Sequence, residues 1–329
     1  MPRELIHWIV LDRAIRKVRE KTIHSDSQQA FTGLDFSAGH NHAAAKLGAV
    51  AHDAPYFLNF GKHQFRSMAD LIHGTTGEDT YKPMTHIASA ISSTPETKRA
   101  VLNAFLAGML SHIATDITFH PMIFYFTGNY HDKDPVKQNK AQALHRKLET
   151  YLESWARGKE EVEPTVTCRT IRKELGSDFS TICTTLESSL PTPVEIAESR
   201  LWERSFAAMV NAHDMFRSLS LGFLVRGINS FCPEKFEALD ALFRFGRSGS
   251  IQFFEESISY RNPITNEQFR FTCDELLDQS VEKCLSLWEL FESKSGANGE
   301  VGASLNFGIP SAPPEQALYF TDSGLDFLK

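Results

Sequence analysis

The chain has 329 residues, 42% of them hydrophobic, so it can bury a sizeable core as one large domain or as a domain with an appendage. Its formal net charge of −7 and the lack of a Lys/Arg run argue against a general nucleic-acid-binding protein, which usually carries a basic footprint. The sequence has no run of about 18 uninterrupted apolar residues, so we expect no membrane-spanning segment.

The amino end and the cysteines both favour a cytoplasmic protein. The first 20 residues, MPRELIHWIVLDRAIRKVRE, carry charges on both sides of a short apolar run and have no small-residue cleavage site, unlike a secretory signal. The five cysteines are widely spaced and include no C-x-x-C, which predicts reduced and mostly buried thiols. They are Cys168, Cys183, Cys232, Cys273 and Cys284.

Helical periodicity runs through most of the chain and predicts an all-α fold. HWIVLDRAIRKVRE has an apolar face, and ETKRAVLNAFLAGMLSHIATDI follows Ser93-Thr94-Pro95, which is typical helix-start chemistry. Residues 139–158 form a third amphipathic pattern that we expect to end at Gly158. Helical patterns continue over residues 194–228 and 269–294, and residues 248–263 read as a short hairpin or an irregular loop.

These elements suggest three regions. We expect a multi-helix core over residues 1–158 and a helical region over 159–294 that packs on it. The segment from Ser295 to the end is rich in Gly, Pro, Ser and Ala, which predicts a flexible tail over 295–329.

Histidine is distributed unevenly. Twelve of the thirteen histidines lie at or before His145, and His213 alone follows. Any metal or acid–base chemistry is therefore expected in the first half of the chain.

The apolar stretch LSHIATDITFHPMIFYF carries three polar groups at helical spacing, His112, Asp116 and His120. Four residues make just over one helical turn, so the three side chains share roughly one face. Burying them unpartnered would cost several kcal/mol each, so they need hydrogen-bond partners or a cation. Because eight residues span about 12 Å of rise, His112 and His120 cannot hold the same ion. Pro121 is expected to bend the chain just after them.

Further ligand types come from other segments. His145 and Glu149 stand four residues apart on the next strong helix, which lets an imidazole and a carboxylate hold one cation. Asp53 lies in GAVAHDAPYF before a proline, His73 lies where a helix gives way to a Gly-rich loop, and His7 lies near the amino end. A donor set of His, Asp and Glu without Cys suits catalytic zinc better than a closed structural site.

The ordered series H-W-I, G-A-V-A-H-D-A-P-Y, L-I-H-G, H-x-x-x-D-x-x-x-H-P and H-x-x-x-E, over residues 1–150, resembles the zinc-dependent phospholipase C family. That family shares its all-helical fold with the single-strand-specific zinc nucleases. Residues 160–329 contain no motif of comparable specificity.

The resemblance implies two or three zinc ions. It assigns His73, His112 and Asp116 to a first zinc, with Asp53 beside it as ligand or general base. It assigns a second zinc to His120, His145 and Glu149. A third would lie between Asp116, His7 and the chain's amino terminus, which in the family is usually Trp. This chain departs from that pattern, because it begins Met1-Pro2. The gap of eight between His112 and His120 is also tighter than in secreted members.

Such a site supports hydrolysis of phosphodiesters or phosphomonoesters. The expected substrate is a phosphoester or a phospholipid, and a phospholipid substrate would allow transient contact with a membrane. Asp53 would take the proton of the attacking water. Nearby aromatic residues could line a cleft for acyl chains or bases, although the run at 124–126 is more typical of core. They are Tyr56, Phe57, Phe119, Phe124, Tyr125 and Phe126.

Three other functions stay open at this point. A nuclease of the same fold is disfavoured by the acidic charge. An HD-type phosphohydrolase would use the adjacent pair His52-Asp53, but Pro55 follows at once and the H-x-x-x-E would have no role. A metal-stabilised scaffold that binds a lipid or a protein is the non-enzymatic alternative.

The remaining histidines are interpreted as surface or loop residues, with His131 the first candidate among them for the site.

Overall fold

The structure is a computed structural model that describes residues 4–24, 34, 36–61, 63–159, 166–190, 200–243, 251–292 and 300–322. The described chain is largely helical, which confirms the predicted all-α class, and it contains one two-stranded sheet. The first half comprises α1 (Glu4–His24), α2 (Gly39–Gly48), a 3₁₀ helix (Ala51–Gly61), α3 (His63–Ile72), α4 (Tyr81–Ser92), α5 (Glu96–Thr127) and α6 (Pro135–Lys159). The second half comprises α7 (Cys168–Leu175), α8 (Asp178–Ser189), α9 (Leu201–Phe216), α10 (Leu219–Phe231), α11 (Pro233–Asp240), α12 (Ile251–Glu255), β1 (Ile258–Arg261), β2 (Gln268–Phe271), α13 (Cys273–Glu292) and a short 3₁₀ turn (Pro314–Gln316).

Helix α5 runs through the core, where α1, α2, α4, α6 and α13 pack around it. Its buried hydroxyl groups donate back along the helix, as Thr115 does to the Ser111 carbonyl and Thr118 to the Ala114 carbonyl, so they need no outside partner. The helix is long and apolar enough to cross a membrane, but 83% of its most apolar 18-residue window is buried inside the protein. These features identify α5 as a core helix.

Pro121 does not end α5, which continues to Thr127. Proline has no N–H to donate to the carbonyl four residues earlier, which belongs to Ile117. Gly308 lies against that carbonyl, since a Cβ at Gly308 would be 2.7 Å from the Ile117 oxygen. The distant segment therefore packs at the place where the proline interrupts the ladder of helical hydrogen bonds.

Helices α2 and α5 meet at two glycines. A Cβ on Gly108 would stand 2.0 Å from the Ala45 carbonyl oxygen, and a Cβ on Gly48 would stand 2.0 Å from the Phe105 oxygen. Glycine at both positions lets the backbones touch. The contact sets the position of the chain just after α2, where the 3₁₀ helix with Asp53 begins.

The second half differs in detail from the predicted helices. The helical pattern over 194–228 is two helices, because the chain turns at Arg217-Ser218 and the Ser218 hydroxyl accepts a hydrogen bond from the Leu221 N–H. Residues 194–199 of that pattern lie outside the described ranges. The pattern over 269–294 begins as strand β2, and α13 starts only at Cys273. The hairpin predicted within residues 248–263 is displaced. Residues 251–255 form helix α12, and strand β1 at 258–261 pairs with β2 beyond residue 263.

The prediction of a flexible tail is wrong for residues 300–322. Leu305 and Phe307 are fully buried, and the Leu305 N–H donates to the His73 carbonyl. The Thr321 N–H likewise donates to the Tyr125 carbonyl. Composition pointed to a tail because small residues and prolines predominate, but the few large apolar residues between them anchor the segment. Residues 293–299 and 323–329 lie outside the described ranges.

The predicted boundary at residue 158 does not coincide with a break in the core. Helix α6 continues to Lys159, and one cluster of buried apolar side chains extends from Leu5 to Leu305 with members on both sides of that position. The described residues of the second half therefore share a core with the first half.

The glycine contact between α2 and α5 generates a stability prediction. Replacing Gly108 with Ala places a methyl group on the Ala45 carbonyl, and overpacking of this kind typically costs about 1–3 kcal/mol. We expect the Gly108→Ala variant to show a clearly lower midpoint of thermal unfolding by circular dichroism.

Gly158→Ala is the matched control, because a Cβ at Gly158 meets nothing within 4 Å and alanine is the better helix former. The control should unfold at or slightly above the wild-type midpoint. Equal midpoints for the two variants would contradict the close approach.

Candidate metal centre

The three polar residues of α5 lie on the face that points into the protein. His112 and Asp116 are fully buried and His120 is 1% exposed. Asp116 lies at the centre of the face, with one carboxylate oxygen 3.1 Å from Nε2 of His112. Its other oxygen lies 3.6 Å from Nε2 of His7 on α1 and 3.8 Å from Nε2 of His120. A carboxylate in this position has three imidazoles for neighbours in place of water.

Potential ligand atoms gather into three trios, in each of which the atoms lie within 4.8 Å of one another. All members of the trios are buried, and the first two trios share His112. The first trio is Asp53, His73 and His112; the second is His7, His112 and Asp116; the third is His120, His145 and Glu149. His112 and His120 thus fall into different trios, as helix geometry requires.

Three of the histidines are oriented by backbone carbonyls. Nδ1 of His73 lies 2.7 Å from the Ala69 oxygen, Nδ1 of His112 lies 2.9 Å from the Ala49 oxygen, and Nδ1 of His120 lies 2.8 Å from the Leu305 oxygen. A carbonyl accepts hydrogen bonds, so Nδ1 carries a proton in each ring and Nε2 faces the carboxylates of the cluster. Carbonyl partners of this kind fix the tautomer of histidines that bind metals.

The third trio joins α5 to α6. Nε2 of His145 lies 2.9 Å from Oε1 of Glu149, one turn along α6, and Nε2 of His120 lies 3.8 Å from the same oxygen. Phe124 packs its ring against His120 and His145, with centroids 5.8 and 5.0 Å away. The aromatic wall lowers the local dielectric, which strengthens any electrostatic interaction in the trio.

Burial sets the protonation states of the cluster. Desolvation lowers the pKa of His7 and of His120 to about 3 in each case, so both rings are neutral at pH 7. Desolvation also disfavours charge on His112, but the carboxylates of Asp116 and Asp53 outweigh it and raise the pKa of His112 to about 9. For Asp116, burial would raise the pKa, yet the surrounding histidines hold it well below its ordinary value. The cluster therefore pairs anionic carboxylates with mostly neutral imidazoles.

The donor atoms fit divalent zinc. Both ring nitrogens of His7 and Nε2 of His120 are buried without a hydrogen-bond partner among the described residues. Buried polar atoms are rarely left in this state, because each costs about 1–3 kcal/mol. Neutral imidazoles and carboxylates without thiolates are the ligand types of catalytic zinc sites.

The structure brings all eight sequence-predicted residues into the three trios, and it differs from the expectation in how they group. Asp53 groups directly with His73 and His112, whereas the resemblance places it beside them as ligand or general base. Asp116 groups with His7 and His112. Residues 1–3 lie outside the described ranges, so the expectation that an amino-terminal group joins His7 has no structural counterpart here.

His52 is a cluster residue that the sequence reasoning considered only for the HD-type alternative. It is fully buried, and its ring stacks on His112 at 4.5 Å with an interplanar angle of 5°. On the other side, His7 stacks on His112 at 4.1 Å. Three imidazoles thus form a column with His112 in the middle. The adjacent position of His52 and Asp53 was the only sequence signal for it.

The other residues named from the sequence have different surroundings. Phe119 is buried in the core, whereas Phe124 lies against the third trio, and Phe57 packs edge-on against His213. His131 is half-buried with Nε2 3.3 Å from the Asn306 amide nitrogen.

The five cysteines are free thiols, and all except Cys232 are buried, in agreement with the prediction from their spacing.

Comparison with known proteins places this geometry in a family. The family described as zinc dependent phospholipase C matches residues 6–191, a range that contains all three trios. No curated protein and no solved structure gave a significant match to the chain. The family match covers more than half of the chain and agrees with the resemblance carried by the His and Asp motifs. The chain therefore belongs to the zinc-dependent phospholipase C family.

Proposed function

We propose that the protein is a zinc-dependent phosphodiesterase of the phospholipase C type, with phospholipids as its substrate class. The observation that carries the proposal is the set of three adjoining, buried trios of histidines and carboxylates, two of which share His112. Adjacent divalent cations clamp the oxygens of a transferring phosphoryl group, whereas a single structural ion needs only one set of ligands.

The trios suggest how the ions would be held. Asp53, His73 and His112 would hold one zinc, and His120, His145 and Glu149 a second. His7 and Asp116 would hold a third together with His112. Zinc bound at such a site lowers the pKa of water and neutralises charge on phosphoryl oxygens. The protein's contribution is to fix the ligand directions and to exclude bulk water from the carboxylates.

Asp53 is the best placed residue to accept the proton of the attacking water. Its side chain is 11% exposed, while that of Asp116 is fully buried, so Asp53 is the carboxylate of the two that solvent can reach. Burial would raise the pKa of Asp53, but His112 and His73 lower it below the ordinary value, so the carboxylate is ionised at neutral pH. Its Oδ1 lies 3.2 Å from Nε2 of His73, which holds the side chain in place.

The alternative functions receive less support. An HD-type site would need His52 as a ligand, and His52 is in none of the three trios. A nuclease would use the same centre, but the chain carries a net charge of −7 and no basic run. The cytoplasmic location stays a prediction from the amino end and the cysteines.

The first prediction concerns metal-dependent turnover. The purified protein should hydrolyse p-nitrophenylphosphorylcholine and bis-p-nitrophenyl phosphate, lose both activities after chelation, and recover them when zinc is returned. Single-stranded DNA is the comparison substrate, and faster cleavage of DNA than of the phosphorylcholine ester would favour the nuclease. Bound zinc with no turnover on any of these esters would favour the scaffold.

The second prediction tests Asp53. In the Asp53→Asn variant the amide cannot accept the water's proton, so we expect kcat to fall by about 10²-fold or more. Zinc content measured by elemental analysis should fall by no more than one ion, because Asp53 belongs to only one of the three trios.

Asp278→Asn is the control, because that carboxylate is 75% exposed on α13. The control should retain wild-type kcat and wild-type zinc content. A wild-type kcat in the Asp53→Asn variant would contradict the proposal that Asp53 acts as the general base.

The third prediction distinguishes the phospholipase C-type site from an HD-type site, in which His52 would bind the metal. The His52→Ala variant should keep the wild-type zinc content, because His52 contacts the trios through ring stacking. His86→Ala, a substitution of an exposed residue on α4, is the matched control for loss of an imidazole. If the His52→Ala variant loses zinc and the His86→Ala variant retains it, the result supports an HD-type site and contradicts the phospholipase C-type site proposed here.

A further inference from the structure

His52 is a fully buried histidine whose two ring nitrogens lack hydrogen-bond partners. It is 0% exposed, and neither Nδ1 nor Nε2 has a partner among the described residues. An imidazole carries at least one N–H donor in either protonation state. Buried polar atoms of proteins are rarely unsatisfied, and an ordered water molecule commonly serves the ones that the chain itself does not reach. The two nitrogens of His52 therefore indicate a bound molecule.

The ring contacts of His52 do not by themselves account for a histidine. Its neighbours His73 and His112 each use Nδ1 to donate to a backbone carbonyl, that of Ala69 and that of Ala49 respectively. His52 has no such carbonyl among the described residues, where its ring stacks on His112 and meets His73 edge-on. A phenylalanine would make both contacts without burying two polar atoms. The nitrogens are therefore the feature that requires histidine at this position.

The His52 ring lies at the edge of the first trio, beside the carboxylate of Asp53. It stacks on His112 at 4.5 Å and contacts His73 at 5.7 Å with an interplanar angle of 79°. Oδ1 of Asp53 lies 3.2 Å from Nε2 of His73 and 3.7 Å from Nε2 of His112. The imidazole and the carboxylate thus adjoin the same two rings, from consecutive positions of the 3₁₀ helix.

The occupant that fits these nitrogens best is a water molecule beside Asp53. A zinc ion fits less well, because His52 belongs to none of the three trios, whose ligand atoms lie within 4.8 Å of one another. A phosphoryl oxygen of the substrate arrives from solvent, and the His52 ring is fully buried, whereas the Asp53 side chain is 11% exposed. Water occupies small buried polar sites and both donates and accepts hydrogen bonds.

We infer that His52 is a further catalytic residue, which donates a hydrogen bond from a ring nitrogen to the oxygen of the water molecule that Asp53 deprotonates. The role rests on the proposed function, in which Asp53 is the general base. A water molecule held at its oxygen loses part of its rotational freedom before the reaction, so less entropy is lost when its proton moves to the carboxylate. His52 and Asp53 act on one water from adjacent positions of the chain.

The test separates the ring of His52 from its nitrogens. The His52→Phe variant keeps the stack and removes both nitrogens, whereas His52→Gln removes the ring and keeps an N–H donor. His52→Met has nearly the shape of His52→Gln without the donor, so this pair repeats the comparison if His52→Phe does not fold. His86→Phe, at an exposed position of α4, is the control. Circular dichroism checks the fold of each protein, and elemental analysis gives its zinc content.

We expect kcat on p-nitrophenylphosphorylcholine to fall about tenfold or more in His52→Phe and His52→Met, and to stay within about threefold of wild type in His52→Gln. KM, zinc content and inhibition by inorganic phosphate should match wild type in all three variants. The increase in the thermal unfolding midpoint that zinc produces should be smaller by about 2 °C or more in His52→Phe and His52→Met, because the zinc-loaded site then lacks one hydrogen bond to its water. His86→Phe should match wild type throughout.

A wild-type kcat in His52→Phe would overturn the inference, because it would leave His52 with a stacking role alone. Equal kcat values in His52→Gln and His52→Met would do the same, since the donor would then have no effect. Loss of a zinc ion from these variants would make His52 a ligand, and weaker inhibition by phosphate with unchanged kcat would make it a contact of the phosphoryl group. Both results would contradict a held water.

Failure of the proposed function would give a different result. A reduced zinc-induced shift in His52→Phe and His52→Met, in a protein that turns over none of the esters, would support the held water and remove the proposed function.

Discussion

The structure depends on the burial of the Asp116 carboxylate among imidazoles. A carboxylate removed from water is stable only with opposite charge or several hydrogen bonds nearby, and Asp116 has Nε2 atoms of His112, His7 and His120 at 3.1, 3.6 and 3.8 Å. Only one of these three rings, His112, has a pKa raised, to about 9, whereas those of His7 and His120 are lowered to about 3. One protonated ring cannot balance the two carboxylates of Asp116 and Asp53, whose pKa values are both lowered. Divalent cations would supply the missing positive charge.

The backbone positions these rings, and the carbonyls that do so come from distant parts of the chain. The Ala49 carbonyl that fixes His112 lies just after α2, whose position depends on the glycine contact with α5. The Leu305 carbonyl that fixes His120 is 185 residues further along the chain. Leu305 also donates its N–H to the His73 carbonyl, so one residue of the C-terminal segment ties together two of the trios. The segment lies outside the family match, yet it completes the environment of the site.

Five of the eight candidate ligand residues could be predicted from the sequence because their spacing follows helix geometry. His112, Asp116 and His120 recur every four residues on α5, and His145 and Glu149 do so on α6, so local geometry alone put them on inward faces. The orienting carbonyls could not be predicted, because any residue type supplies a carbonyl and only the tertiary fold selects Ala49, Ala69 and Leu305.

The errors in the fold prediction have related causes. The segment around Leu305 looked like a tail because its composition is poor in large apolar residues, and composition averages over the few that anchor it. Arg217-Ser218 was read as helix interior, although Ser218 starts a new helix through its side chain. Phe269 and Phe271 alternate with polar residues over too short a run to separate a strand from the helix that follows. In each case a contact distant in sequence, or one capping bond, decided the outcome.

The most direct measurement is anomalous diffraction at the zinc absorption edge from crystals of the purified protein. The account predicts at least two separate zinc peaks, one among Asp53, His73 and His112 and another among His120, His145 and Glu149. A single peak, or none at these residues in zinc-replete protein, would contradict the central claim that the buried trios hold more than one cation.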